Sequence, residues 1–210
     1  MKHILCYGDS NTWGYNSETD ARFPFCERWT GRLAAELAPD CRIIEEGLCG
    51  RTTAYELPLE PGRNGFAYYP TALSSADPLD LVVLMLGTND RRKQLIVSPE
   101  ESALALERYI QFTRTPVHWS GRQTPRLLLV SPPEIDPAIA ENEFAFYYDE
   151  NSVAHSRRLK TVYRRLAEQY GCAFLDAAAH CGPGADCVHL DAAGHRALAQ
   201  ALAIQVRQII

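Results

Sequence analysis

No stretch of this sequence approaches the ~20 consecutive apolar residues of a membrane span, so no membrane partner is expected. The apolar stretch in Met-Lys-His-Ile-Leu-Cys-Tyr-Gly-Asp-Ser is too short for the core of an export signal, and Asp9 closes it. Basic runs are short as well: none exceeds three residues, and the formal charge is −5. Without a basic footprint for a phosphate backbone, nucleic acid is not an expected partner. Internal repeats, low-complexity tracts and linkers are lacking, and 210 residues suit one domain, 1–210, with one core. No Cys-x-x-Cys pair occurs among the seven cysteines (Cys6, Cys26, Cys41, Cys49, Cys172, Cys181, Cys187), which are odd in number and scattered. In the absence of an export signal they read as reduced thiols, and the expected location is cytoplasmic.

What is present is an ordinary globular balance, 46% hydrophobic and 22% charged. Apolar runs of strand length occur at His3–Tyr7, Arg42–Glu45, Leu81–Leu86, Arg126–Ser131 and Ala173–Leu175. Their near-continuous Ile/Leu/Val character fits strands covered on both faces, as in a parallel sheet. Helical patterns lie between them. One runs from about Arg28 to Leu37. A second opens on a capping box, with Ser98 as N-cap, Pro99 behind it and Glu101 at the third position. A third spans about Asn151 to Tyr170 and stops at Gly171. The last follows Asp191 to near Ile209, with Leu198, Ala201, Leu202 and Val206 on one face. Alternating strands and helices with right-handed crossovers predict a three-layer α/β/α sandwich. Two longer connections, 51–72 and 132–150, are read as loops. Both are rich in aromatics (Tyr55, Phe66, Tyr68, Tyr69; Phe144, Phe146, Tyr147, Tyr148).

Ligands of open parallel sheets sit beyond the carboxyl ends of the strands, and four polar signatures leave strands there. The first is Gly8-Asp9-Ser10-Asn11-Thr12. It is not the Gly-x-Ser-x-Gly elbow, since position 12 is Thr, and it lacks the run of small hydroxyl residues that would cradle a flavin phosphate. Taken alone, Asp9 and Ser10 read better as a helix or turn cap than as catalytic groups. The second signature, Asp186-Cys187-Val188-His189, supplies what a serine nucleophile needs: a base, and a carboxylate to fix its tautomer.

His195 is a competing base, but it falls inside the last helix. His3, His118 and His155 have no carboxylate at suggestive spacing. His180, Cys181, Cys187 and His189 form the one rival metal cluster, and their spacing matches no paired zinc framework, so no metal is expected. The remaining signatures, Gly47-Leu48-Cys49-Gly50-Arg51-Thr52-Thr53 and Gly87-Thr88-Asn89-Asp90, are candidate oxyanion donors. The Ser10 and Gly50 N–H groups and the Asn89 amide would serve, each typically worth ~3–4 kcal/mol of barrier. Asp9, Asn11 and Trp13, around the serine, are the candidate substrate-binding residues.

The four blocks resemble the SGNH/GDSL hydrolase family, named for Ser, Gly, Asn and His, here Ser10, Gly50, Asn89 and His189. Within it the segments ILCYGDSNTW, RWTG, IEEGLCGRTT, LDLVVLMLGTND and VSPP are similar to the arylesterase/acyltransferase branch. Asn11 stands where the family's name has Leu, a change not expected to alter the chemistry. Cys49-Gly50 stands where the branch's acyltransferase has Ser-Ala.

The resemblance implies a flavodoxin-like five-stranded fold, a Ser10–His189–Asp186 triad, no cofactor, a small ester as substrate and homo-oligomeric assembly. It implies hydrolysis of short-chain esters through an acyl-enzyme. Acyl or peracid transfer by the same intermediate, deacetylation of carbohydrates, and a silent flavodoxin-like binding module stay as alternatives.

Overall fold

The structure, a computed structural model, describes residues 1–115 and 123–210; His118 lies outside them. From the N-terminus the elements are β1 (Lys2–Gly8), α1 (Ser10–Trp13), an antiparallel ribbon of β2 (Tyr15–Asn16) and β3 (Ala21–Arg22), α2 (Trp29–Leu37) and β4 (Cys41–Gly47). There follow α3 (Gly65–Ala76), β5 (Leu81–Met85), α4 (Pro99–Arg114), β6 (Arg126–Ser131), α5 (Glu150–Tyr170), β7 (Ala173–Asp176) and α6 (Ala192–Ile209). Five strands pair in the order β4-β1-β5-β6-β7, all parallel. Helices cover both faces, and the architecture is the three-layer α/β/α sandwich expected from the strand pattern, in the flavodoxin-like five-stranded form that the resemblance implies.

β5 shows why its apolar run forms a central strand. All five of its residues are buried, and they alternate between two cores. Leu81, Val83 and Met85 pack with Trp29 and Leu33 of α2 and Leu198 and Leu202 of α6. Val82 and Leu84 face Leu73 of α3, Tyr109 of α4 and Leu159 of α5. Burying each such aliphatic side chain contributes roughly 1.5–3 kcal/mol, which only a strand covered on both faces can collect. The apolar stripe read on the last helix (Leu198, Ala201, Leu202, Val206) points wholly into the α2/α6 core.

The segment 51–72 departs from its reading as a loop, because α3 begins within it. Asn64 caps that helix, its side chain accepting from Ala67 N–H at 3.1 Å. Pro70 lies inside α3 and removes one helical hydrogen bond. The helix stands because Tyr69, fully buried, packs its ring 5.1 Å from Tyr7 and 4.6 Å from Tyr109. Those partners are remote in sequence, so local propensity could not reveal them. The ribbon of β2 and β3 also went unread; two residues per strand are too short for periodicity to register.

β1 lies between β4 and β5, and the chain leaves it toward β4 and returns past it to β5. That reversal opens a crevice beyond the carboxyl end of β1, the switch point where such sheets bind ligands. Among the described residues, no helix is long and apolar enough to cross a membrane.

Candidate active site

Ser10 is the first residue of α1, one residue beyond the exit from β1. At Gly8 a Cβ would fall 2.0 Å from Thr12 Oγ1 and 2.8 Å from the Met85 carbonyl, so only glycine lets the chain turn this tightly into α1. Asp9 caps the turn, accepting from Asn11 N–H at 3.0 Å. The Asn11 side chain reaches across to the loop that carries His189. Its Oδ1 accepts from Leu190 N–H at 2.9 Å and its Nδ2 donates to the Val188 carbonyl at 3.5 Å, so it grips the residues on either side of the histidine.

The Asp186–His189 turn folds as its spacing suggested. Asp186 Oδ1 accepts from the N–H groups of Val188 at 3.0 Å and His189 at 2.8 Å. Cys187 between them takes the left-handed conformation, φ +69°. His189 Nδ1 lies 2.5 Å from Asp186 Oδ2, and Nε2 lies 2.9 Å from Ser10 Oγ. An ionised carboxylate only accepts, so Nδ1 carries the proton and Nε2 is left to accept from the serine hydroxyl. Burial pushes the Asp186 carboxyl up, but the bonds from His189 and the two backbone N–H groups outweigh it and hold the group below its usual range.

Two of the other described histidines have partners of their own. His195 is fully buried and accepts from Trp29 N–H at 3.3 Å, and His3 Nδ1 meets the Pro78 carbonyl at 2.9 Å. Among the described residues no group of His, Cys, Asp or Glu could hold a metal ion. All seven cysteines are free thiols.

The oxyanion side is assembled from two other loops. Gly50 adopts φ +77°, which favours glycine, and a Cβ there would come 2.9 Å from Glu60 Oε2 and 3.2 Å from Arg63 Nε. The glycine therefore answers to these two side chains as well as to its backbone angle. The N–H groups of Ser10 and Gly50 find no acceptor among the described residues. Asn89 Nδ2 donates one proton to the Arg51 carbonyl at 3.1 Å, and Tyr148 donates to its Oδ1 at 3.4 Å. This leaves the second amide proton for a ligand. Asp90 clasps the two loops together, accepting from Thr53 N–H at 2.8 Å, Thr53 Oγ at 2.6 Å and Ser102 Oγ at 2.6 Å.

Ser10, Gly50, Asn89 and His189 line one cleft of about 230 Å³. Its walls are Tyr15, Cys49, Glu60, Arg63, Arg92, Phe144, Tyr147 and Tyr148. Tyr15 and Phe144 pack against the His189 ring, centroids 4.5 and 5.4 Å away. The expected substrate-binding residues Asp9, Asn11 and Trp13 are not among the lining residues. Asp9 and Asn11 are buried beneath the nucleophile, and Trp13 lies under the Arg22 guanidinium, 5.2 Å from its ring centroid. Burial pushes the Asp9 carboxyl up to about 6.

The aromatic richness of 132–150 marked Phe144, Tyr147 and Tyr148. That of 51–72 misled, since Phe66 and Tyr69 pack on Tyr109 instead. Glu60, Arg63, Arg92 and Tyr15 carried no motif. Only their arrival at the cleft distinguishes them from surface residues.

Comparison with known proteins follows the same lines. The profile of the GDSL-like lipase/acylhydrolase family matches residues 6–197. Among solved structures, an aryl esterase of M. smegmatis is 37% identical with a TM-score of 0.93, over 100% of both chains. A carbohydrate acetylesterase family member from Sinorhizobium meliloti is 36% identical, TM-score 0.93, over 100% of this chain and 99% of that one. A second carbohydrate acetylesterase from the same organism is 34% identical, TM-score 0.91, over 100% of both. Among curated proteins no match was found.

Proposed function

The chain belongs to the GDSL-like lipase/acylhydrolase family, and from that membership we propose that it hydrolyses carboxylic esters of short acyl chains through a covalent Ser10 intermediate. One observation carries the reading: Ser10 Oγ, His189 and Asp186 stand in a hydrogen-bonded line of 2.9 and 2.5 Å at the floor of an open cleft. Ser10 Oγ attacks the ester carbonyl as His189 Nε2 takes its proton, and Asp186 stabilises the imidazolium. Negative charge on the carbonyl oxygen meets the Ser10 and Gly50 N–H groups and the spare Asn89 amide proton. His189 returns its proton to the departing alcohol. Water then attacks the acyl-Ser10 ester, with His189 again as base, releasing the acid.

Ser10→Ala should reduce p-nitrophenyl acetate turnover by ~10⁴-fold or more while the protein stays folded. Activity near that of the wild type would overturn the assignment.

A second reading is acyl transfer to an alcohol or to peroxide. The aromatic wall of Tyr15, Phe144, Tyr147 and Tyr148 favours it, since an apolar cleft disfavours water relative to an organic acceptor. The ratio of benzyl acetate to acetate formed with benzyl alcohol present separates the two readings. The similarity to carbohydrate acetylesterases keeps acetylated sugars among the substrates to be assayed.

A further inference from the structure

The cleft has one charged wall, and its charge is unbalanced. Arg63 and Arg92 both line it, with Glu60 as the one carboxylate among the lining residues. Arg92 is the more tightly held of the two: its Nη1 donates to Glu60 Oε1 and its guanidinium lies 4.6 Å from the Tyr147 ring centroid, while its Nε is buried without a hydrogen-bond partner. That bridge already ties the segment before α3 to the turn after β5. Arg63 is the looser partner of the same carboxylate: its Nε makes an ion pair with Glu60 Oε2 at 3.8 Å, too long for a hydrogen bond. The Arg63 Nε is buried without a hydrogen-bond partner. The side chain is 30% exposed.

We propose that Arg63 forms an anionic subsite beside the oxyanion position, selecting esters that carry a carboxylate near the scissile bond. The proposal rests on the esterase reading and names its substrate class. Two guanidinium charges against one carboxylate leave a net positive charge on the wall, and the paired Nη groups of a guanidinium can receive a planar carboxylate. Gly50 leaves room for the Arg63 side chain, since an added Cβ there would lie 3.2 Å from Arg63 Nε and 3.3 Å from its Cδ. A carboxylate held there is close to the carbonyl under attack. Tyr15 and Phe144, packed on the His189 ring in the same cleft, offer apolar surface for the uncharged part of the ester.

The test is a ratio of kcat/KM values, so that any general damage to the site cancels. 4-Acetoxybenzoate, with the carboxylate on the alcohol side, is compared with neutral 4-acetoxybenzamide. 4-Nitrophenyl hemiadipate, with the carboxylate on the acyl side, is compared with its methyl ester. At low ionic strength at least one anionic ester should exceed its neutral counterpart about tenfold, and the pair that does so identifies the side. In R63M that ratio should fall to near one. No preference for either anionic ester, or a preference that R63M leaves intact, would overturn the subsite. Should R63M not fold, salt decides: the wild-type preference must shrink as ionic strength rises, and one that ignores salt overturns the proposal. Failure to turn over any ester, with no labelling of Ser10 by a fluorophosphonate, would instead overturn the esterase reading, and the subsite with it.

Discussion

Asn11 illustrates how much a single side chain does at this site. The resemblance left it as a neutral replacement for leucine, yet its amide holds the backbone on both sides of His189. Asn11→Leu removes both bonds and leaves the Leu190 N–H and the Val188 carbonyl without partners in surroundings where both residues are buried. Each such orphan costs ~1–3 kcal/mol. The His189 loop should loosen relative to Ser10, so kcat should fall about tenfold with KM little altered. Fluorophosphonate labelling of Ser10 should slow by a similar factor. A variant with a lowered Tm but unchanged kcat and labelling would assign Asn11 to packing alone. Tyr148 acts in the same indirect way, aiming the Asn89 amide through a bond that no spacing in the sequence announces.

At the scale of elements, α4 shows what local sequence can specify. Ser98 accepts from Glu101 N–H at 3.2 Å and Glu101 Oε2 accepts from Ser98 N–H at 2.7 Å, closing the capping box read directly from Ser98 and Glu101. The helix start also places Ser102 against Asp90, and through Asp90 it braces the loop that carries Thr53. Ser98→Ala should cost ~1 kcal/mol, seen as a Tm lowered by ~2–4 °C for a domain of this size. A shift within experimental error would mean that the helix is set by its packing and not by its cap. α3 is the opposite case. Pro70 argues against it locally, and the burial of Tyr69 against Tyr7 and Tyr109 decides for it.

Across the whole molecule, two buried titratable groups pull stability in opposite directions with pH. Burial, reinforced by nearby Arg32, holds His195 down to about 4 from its ordinary 6.5. As pH falls below about 6.5 the unfolded chain takes up a proton that folded His195 refuses, so its contribution is complete above that pH and is lost toward pH 4. Asp9, pushed up to about 6 from 3.8, does the reverse: folding carries the cost of its buried charge above pH 6, and acid relieves it. Replacing His195 by Gln should therefore flatten the acid side of the profile. The variant should lose less stability than the wild type between about pH 7.5 and 4.5, by on the order of 2–3 kcal/mol in urea unfolding. Equal losses would show that His195 titrates normally.

The same division of scales separates what the sequence determined from what folding decided. The five long strand runs, the caps at Ser98 and Asp191, the turn at Gly8 and the Asp186–His189 spacing depend on neighbours a few residues away, and these could be read directly. The cleft walls could not, because Glu60, Arg63 and Arg92 come from two connections on either side of α3 and β5, Tyr15 from β2, and Phe144 and Tyr148 from the segment between β6 and α5. Their meeting at Ser10 depends on the strand order β4-β1-β5-β6-β7, which gathers the ends of distant segments at one edge of the sheet. Nothing in a local pattern encodes which side chains that edge will bring together.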